Sequence, residues 1–387
     1  MRIAESKTRL VRERISELCL YSSARLAHDY LCRYGVPRSL IILRVHSPKN
    51  EQGHHRKLPF GLFDATQKLC VLEFNSNCRL HHEAQLPEAL TSLNLRGVPK
   101  MHRLFHHLLS LRTLKHLALD FLSATARSPV NSSKSIVLPT LVSLDVACEA
   151  GSGVAEEFFS SVSFPSTTSV VLGLCVTSDD HTSIHSALAS GIRHVARQTL
   201  PLLSLSGSAD WKYYEPGAIT LSCYSWLRAP STQNQPALPP ILTLKMWWPD
   251  NHPINHNTAF QYVLDSLPTH DVQEVHLHAP GPWIYKPDDQ SISKPAGLSE
   301  IATAIPGVTT LLLSGPLTTL LEPLYPGPAS QIARVVAERH EWRKLQDFRI
   351  SSVLACRQRA NAPTLNIELC DDAGVFAGNI LEHIQWS

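Results

Sequence analysis

The sequence predicts an α/β fold, a leucine-rich-repeat solenoid or horseshoe with a parallel β-ladder on the concave face and irregular helices on the convex face. Three observations predict it. A short apolar pattern recurs along the chain. Its copies lie about 27 residues apart on average, within the range of leucine-rich repeats. Several stretches between copies carry apolar residues at helical spacing. Because one such strand cannot bury its apolar face alone, stacked copies are needed to form a core.

The recurring pattern is a large apolar residue, two variable residues, a second apolar residue, one variable residue and a third apolar residue. The clearest copies begin at Leu69, Leu90, Leu114 and Leu141. In each copy the last apolar positions alternate with polar ones, as a half-buried strand requires. Weaker copies begin at Leu40, Thr167, Leu200, Ala218, Ile241, Val272, Val308, Leu345 and Ala362.

The segments between copies return the chain to the next strand, and four of them have helical apolar spacing: 99–111, 179–195, 258–267 and 329–345. Residues 1–35 are expected to form a helical cap with an apolar stripe of Val11, Ile15, Leu18, Leu26 and Leu31. The rest, 36–387, is expected to be one degenerate repeat domain. Polar or proline-rich loop insertions interrupt it near 123–135, 229–240, 280–297 and 315–328.

The composition limits the classes of protein. Hydrophobic residues make up 43% of the chain and charged residues 18%, which excludes a disordered chain or a coiled coil. The 35 basic and 33 acidic residues give a net charge of +2, so we expect neither a nucleic-acid nor a membrane partner. The nine cysteines include no C-x-x-C pair and no regular spacing. This favours a reducing cytoplasmic or nuclear setting.

Alternation along the predicted strands places one set of polar side chains on the concave face, where this architecture usually binds a protein partner. Trp247 with Lys245 nearby has the composition of a binding hot spot, although Trp247 packed under a neighbouring loop fits the sequence equally well. The predicted binding residues are Arg44, His46, Glu73, Asn94, Arg96, His116, Asp120, Lys245, Trp247, Glu274, His276, His278, Asp347 and Arg349.

The motifs of common catalytic sites are absent: no G-x-S-x-G elbow, no phosphate-binding glycine loop and no H-E-x-x-H pair occurs. We therefore predict a non-enzymatic recognition module without catalytic residues, metal or cofactor. Two alternatives stay open. Glu274, His276 and His278 could form the three-ligand set of a metal-dependent hydrolase. The competing interpretation is that these histidines are solvated or hydrogen-bonded within the fold. A two-domain α/β enzyme, with its period broken after residue 200, is the other.

Three segments carry a resemblance to a family: 136–144 (IVLPTLVSL), 164–170 (FPSTTSV) and 272–277 (VQEVHL). They resemble the degenerate repeats of the F-box-like leucine-rich-repeat proteins of mushroom-forming fungi, over roughly residues 40–370. The resemblance implies a substrate-binding subunit related to the F-box receptors of SCF ubiquitin ligases, with an F-box that docks on a Skp1-type adaptor. The family's Leu-Pro opening is not found near the N-terminus. We therefore expect that the F-box has been lost or lies upstream of Met1.

Overall fold

A computed structural model describes residues 14–47, 56–75, 78–81, 83–97, 101–122, 135–176, 186–189, 192, 201–210, 218–225, 239–247, 264, 267–278, 305, 307–314, 331–339, 347–370 and 380–385. The chain divides into two compact units, Met1–Cys175 and Val176–Ser387. The sequence had predicted one continuous repeat domain over 36–387, so this boundary falls inside it.

The first unit is built on a parallel ladder of β-strands. Its strands are β1 (Glu17–Tyr21), β2 (Ile42–His46), β3 (Arg56–Lys57), β4 (Val71–Asn75), β5 (Cys78–Arg79), β6 (Ser92–Leu95), β7 (His116–Asp120), β8 (Ile136–Val137), β9 (Ser143–Glu149), β10 (Val162–Ser163) and β11 (Ser169–Cys175). Seven of them, β1, β2, β4, β6, β7, β9 and β11, pair in chain order and in parallel. Two short parallel pairs, β3 with β5 and β8 with β10, lie apart from this ladder.

The same backbone hydrogen bonds recur where the chain enters each strand of this ladder. Thr91 and Ser92 both donate to the carbonyl of Cys70, at 2.8 and 3.0 Å. One coil later, Lys115 and His116 both donate to the carbonyl of Thr91, at the same distances. Equivalent pairs of bonds form at the starts of β2, β4 and β9. The coils are therefore structural repeats, as the sequence period predicted.

The core of the first unit is a stack of aligned leucines. The register places Leu72, Leu93, Leu117 and Leu144 in one row across four strands, and all four are buried. The first apolar residue of each predicted copy is buried as well, which confirms the pattern from Leu40 to Leu141. The next copy was predicted to begin at Thr167, but that residue is exposed and the buried position belongs to Thr168.

Helices in the described part of this unit are α1 (Ala24–Tyr34), α2 (Met101–Leu108) and α3 (Val154–Ser161). The second of these confirms the helix predicted within 99–111. The helical cap predicted for residues 1–35 is wrong in part, because residues 17–21 form the first strand of the ladder. Leu18 and Leu20 alternate with more exposed residues there, which is a strand period and not a helical one. Val11 lies outside the described residues, and Leu26 is 63% exposed instead of buried.

The described part of the second unit holds eight strands. They are β12 (Ser204–Asp210), β13 (Ala218–Tyr224), β14 (Leu242–Trp247), β15 (Glu274–His278), β16 (Thr310–Ser314), β17 (Arg334–Glu338), β18 (Asn366–Cys370) and β19 (Ile380–Gln385). Five of them, β12, β15, β16, β17 and β18, pair in parallel with at least one neighbour. Their order is β14, β13, β12, β15, β16, β17, β18, β19. A short 3-10 helix, Thr269–Asp271, precedes β15, and helix α4 (Asp347–Arg359) precedes β18.

Two strands of this unit run against the predicted parallel ladder. β13 is antiparallel to both β12 and β14, and β19 is antiparallel to β18. Only residues 211–217 join β12 to β13. A parallel crossover needs about a dozen residues or more, so seven residues permit only an antiparallel pairing.

The prediction from the sequence interchanged a helix and a strand near the C-terminal end. The predicted helix over 329–345 contains β17, and the strand predicted from Leu345 is instead α4. In β17, Val335, Val336 and Ala337 are all fully buried. A strand that is buried on both faces shows no alternation of polar and apolar residues. Its apolar run therefore fits a helix as well as a strand.

Several predicted features fall on residues that the structure describes only in small part. Residues 186–189, within the predicted helix 179–195, are helical. The predicted helix 258–267 and the insertions near 123–135, 229–240, 280–297 and 315–328 lie almost wholly outside the described residues. Within the described ranges, no helix has the length and apolar character needed to cross a bilayer.

Candidate binding surface

The outward side of the first unit's ladder carries a row of polar side chains, here called the polar face. On β2 and β4, Arg44, His46 and Glu73 are partly exposed, while Leu43 and Leu72 beside them are buried. This alternation confirms the predicted orientation of the strands. The polar face consists of Arg44, His46, Glu73, Asn94, Arg96, His116 and Asp120, which belong to β2, β4, β6 and β7 or directly follow them.

Arg44 and Glu73 hold the first half of the polar face in place. The Nη1 atom of Arg44 donates to Glu17 at 2.6 Å, and its Nε lies 3.3 Å from Glu73. Contact with the Cys19 side chain, and then the carboxylates of Glu17 and Glu73, raise the pKa of Arg44, so this group stays cationic. The arginine therefore links β1, β2 and β4 through their side chains.

Glu73 is the common acceptor of this cluster. Its Oε1 accepts hydrogen bonds from Asn75 at 2.9 Å and from Asn94 at 3.4 Å, and it lies 3.9 Å from Nε2 of His46. The His46 ring is also stacked on Tyr21, with centroids 4.9 Å apart and planes 6° apart. Side chains from four consecutive strands are thus fixed relative to one another.

A second pair of bonds orders the other half of the polar face. Nε of Arg96 donates to Asp120 at 3.3 Å, and the other Asp120 oxygen accepts from the backbone of Leu122. Nδ1 of His116 lies 2.8 Å from the hydroxyl of Ser143 on β9. Exposed ion pairs contribute only about 0–1 kcal/mol each to stability. Their main consequence here is to set the positions of the side chains.

The predicted residues of the second unit do not form a comparable exposed face. Glu274 is 1% exposed and His276 is 7% exposed, so both are buried where the sequence predicted a binding surface. The hydroxyl of Ser204 donates to Glu274 at 3.0 Å. Nε2 of His276 and Nδ1 of His278 lie 3.1 and 2.7 Å from the hydroxyl of Ser314. Glu274 to Leu277 are all buried, so β15 does not show the predicted alternation between buried and exposed residues.

These contacts also bear on the metal-site alternative. Glu274 and both histidines hydrogen-bond to serines on the neighbouring strands. Within the described ranges, no group of three His, Cys, Asp or Glu side chains is arranged to hold a metal ion. The geometry therefore gives no support to a hydrolase built on Glu274, His276 and His278.

The remaining predicted binding residues are scattered. Lys245 is exposed and Trp247 is half-buried, and both lie on β14. Asp347 and Arg349 belong to α4 and not to a strand, so their predicted place on the sheet is wrong. Sequence reasoning missed the pair formed by Arg334 and Glu368, because Arg334 was assigned to a helix.

The sequence also gave no sign of a contact between a thiol and an imidazole on α1. Sγ of Cys32 lies 3.4 Å from Nε2 of His28, and Nδ1 of His28 lies 3.2 Å from Asp29. However, the same Nε2 lies 3.0 Å from the carbonyl of Lys57, to which it can only donate. Burial first, and then the charge of Asp29, raise the pKa of Cys32. The thiol therefore stays protonated, and this cluster lacks an activated nucleophile.

An open cleft of about 820 Å³ lies away from the polar face, between residues 63–67, 84–89 and 106–110 of the first unit. Asp64, Gln67, Glu88 and His106 are among its lining residues. At its base, Nδ1 of the buried His107 lies 2.9 Å from the carbonyl of Ala84. This bond ties α2 to the preceding coil.

Comparisons of the whole chain with protein-family models, curated proteins and solved structures found no match.

Proposed function

We propose that this protein is a non-enzymatic recognition module of the leucine-rich-repeat type, which binds a protein partner through the polar face. The observation that carries the proposal is the ordered row of partly exposed polar side chains on consecutive strands, centred on Arg44 and Glu73. Side chains already held in place lose little conformational entropy when a partner binds them.

The repeat geometry supports the leucine-rich-repeat assignment. Buried leucines occupy equivalent positions on successive parallel strands, and the same pair of backbone bonds closes each coil. In repeats of this kind the convex side carries the return segments, which leaves the strand face free to bind.

The charge of the polar face favours a protein over a polyanion. Arg44 and Arg96, the two arginines of this surface, are each paired with a carboxylate. A nucleic-acid site needs basic side chains that are available to phosphate groups. Mixed and paired charges beside the exposed ring of Tyr21, which is 74% exposed, are closer to the composition of a protein interface.

The proposal is tested by capturing partners with the tagged full chain and measuring the affinity of a captured protein by calorimetry. Arg44→Ala and His46→Ala should each weaken binding by about tenfold or more, which corresponds to about 1.4 kcal/mol. Arg112→Ala is the matched control, because Arg112 is exposed on a turn of the same unit. Unchanged affinity in both face variants would contradict the proposal.

The finer form of the proposal is a substrate-binding subunit related to the F-box receptors of SCF ubiquitin ligases. Its support is the resemblance of the repeats at 136–144, 164–170 and 272–277. Binding of the full chain to a purified Skp1-type adaptor, measured by calorimetry, tests it. Complex formation is the expected result if an F-box accompanies the repeats. No complex, with the chain extended by any in-frame segment upstream of Met1, would remove the ligase role and leave a recognition module.

A further inference from the structure

The first strand of the first unit has one hydrogen-bonded neighbour among the described strands, namely β2. On that side, the carbonyl of Ser16 accepts from Ile42 and the amide of Ser22 donates to His46. Backbone groups alternate in direction along a strand, so the even-numbered residues bond to β2. The amides and carbonyls of Glu17, Cys19 and Tyr21 therefore point to the open edge.

Helix α1 exposes an apolar stripe beside this edge. Leu26, Tyr30 and Tyr34 follow one another at intervals of four residues, and all three are exposed. The opposite side of the helix packs towards the next coils, where Leu31 is buried and His28 contacts the carbonyl of Lys57. The stripe therefore faces away from the repeats that follow.

Among the described residues, this end of the repeat array lacks the usual protection of an open edge. A terminal repeat needs a polar outer face, and edge strands are commonly blocked by Lys, Pro or a bulge. β1 has the sequence ELCLY and contains none of these. Five of the nine exposed large hydrophobic residues of the described chain lie between residues 21 and 41. Three of them, Leu26, Tyr30 and Tyr34, form the stripe on α1, and an exposed apolar stripe of this kind is typical of an interaction site.

We propose that two copies of this chain associate through this end, with their β1 strands paired antiparallel about a two-fold axis at Cys19. In that register Cys19 faces its counterpart, and Glu17 of each copy faces Tyr21 of the other. All the amides and carbonyls that point to the open edge then find partners, which gives six hydrogen bonds between the copies. An isologous interface of this kind closes as a dimer.

The same register also continues both layers of the structure. Leu18 of one copy faces Leu20 of the other, so the less exposed side of each strand meets the same side of its partner. The α1 helices lie on the side of the return segments in both copies, which brings their Leu26 and Tyr30 stripes together. The sheet and the helix layer therefore both continue across the two-fold axis, with strand beside strand and helix beside helix.

Charges on α1 favour a second copy over an unrelated partner. Arg25, Asp29 and Arg33 alternate in sign along the exposed part of the helix. Asp29 lies 4.0 Å from Arg25 of its own helix. In an antiparallel arrangement of the two α1 helices it also lies opposite Arg33 of the other copy, so this contact between the copies forms twice. The edge and the helix are both self-complementary, and no other component is required.

Oxidative cross-linking of the full chain tests the register. Directly opposed residues of a hydrogen-bonded antiparallel pair have Cα atoms about 5.5 Å apart, which is within the range for a disulfide. Diamide takes two electrons and two protons from two thiols as the S–S bond forms, and is reduced to the hydrazine. We expect a disulfide dimer that Cys19→Ser abolishes. Cys32→Ser, at the other exposed cysteine of this end, should leave it intact.

Light scattering of the reduced chain tests the association itself. Wild type should be a dimer at micromolar concentration. Cys19→Pro removes an amide that points to the open edge and spares the bonds to β2, so it should weaken self-association by about tenfold or more. Leu26→Asp should do the same, whereas Val142→Asp, at an exposed apolar position elsewhere in the unit, should not. Circular dichroism confirms that each variant is folded.

Three outcomes would overturn the proposal. They are a monomeric wild-type chain at these concentrations, cross-linking through a cysteine other than Cys19, and a folded Cys19→Pro variant that dimerises as well as wild type. These results are separate from the tests of partner binding, since Arg44→Ala and His46→Ala leave the edge of β1 in place.

Discussion

Arg334 and Glu368 are joined by two parallel hydrogen bonds across the neighbouring strands β17 and β18. Nε of Arg334 donates to Oε1 at 2.8 Å, and Nη2 donates to Oε2 at 2.7 Å. Glu368 is buried, and Nδ2 of Asn366 lies 3.4 Å from the same Oε1. The pKa of Arg334 is raised, mainly because of its hydrogen bonds to Glu368. This bidentate geometry is the strong form of a carboxylate–guanidinium pair.

Removing the arginine alone should destabilise the second unit strongly. Arg334→Leu leaves the buried carboxylate of Glu368 without its main partner, and breaking a buried pair in this way costs about 3–5 kcal/mol. We expect the lower end, because the Arg334 side chain is 30% exposed. The double variant Arg334→Leu/Glu368→Leu should recover part of the loss. Urea unfolding of the three proteins measures this, and equal stability of wild type and Arg334→Leu would show that the pair is not formed.

Thr168 takes the place of a core leucine in the last coil of the first unit, and its hydroxyl stabilises that coil. Its Oγ1 donates to the carbonyl of Leu141 at 2.8 Å, and the residue is fully buried. Thr168→Val keeps the shape but removes the donor, so we expect a loss of about 1–2 kcal/mol in the free energy of unfolding. The matched control is Thr167→Val at the exposed neighbour. Equal unfolding midpoints for the two variants would refute this role.

Stability should fall in alkaline solution because of two buried thiols. Burial raises the pKa of Cys148 and of Cys223 from 9.0 to about 12, and the two thiols belong to different units. Between pH 9 and about pH 12, each thiol is ionised in the unfolded chain and protonated in the folded chain. The stabilisation is therefore complete below pH 9 and declines as the pH rises to about 12, by about 1.4 kcal/mol per pH unit for each thiol.

Denaturant unfolding at a series of pH values from 8 upward checks this prediction. Other groups also titrate in this range, so the informative quantity is the difference between wild type and variant. Cys148→Ala and Cys223→Ala should each make the fall of the unfolding free energy with pH less steep, by the contribution of one thiol. A slope that neither variant changes would mean that these thiols are not shielded from water.

Cys32 should react slowly for a cysteine on the protein surface. Burial and the charge of Asp29 raise its pKa, which lowers the fraction of thiolate at a given pH. Alkylation of the native chain by iodoacetamide should therefore have its pH midpoint above that of a free peptide thiol. Asp29→Asn should move that midpoint down by removing the like charge. A midpoint below that of the peptide would instead indicate an activated thiolate at His28.

Much of the first unit could be predicted from its sequence because its two faces differ in polarity. Leu93 and Leu95 alternate with Ser92 and Asn94, so the strand, its inward face and its place in the period can all be read directly. Of the seven strands of the parallel ladder, only β1 was missed. It lies near the N-terminal helix, and its two leucines were counted as part of a helical stripe.

The second unit was harder to predict because both faces of its strands are covered. β15 to β17 are buried along almost their whole length, and Val335, Val336 and Ala337 give no alternation. The direction of a strand is not encoded in its own residues either. The antiparallel direction of β13 depends on the length of the connection before it.

The sequence by itself determined the repeat, the buried leucine rows and the set of polar residues that lie on the outward side of the first unit's ladder. These follow from local periodicity, which each strand carries in its own residues. Only the tertiary structure decided which of those polar residues meet. The contact between Arg44 and Glu73 joins strands 29 residues apart, and Arg334 pairs with Glu368 across 34 residues. Such contacts depend on strand order and register, which arise when the whole chain packs.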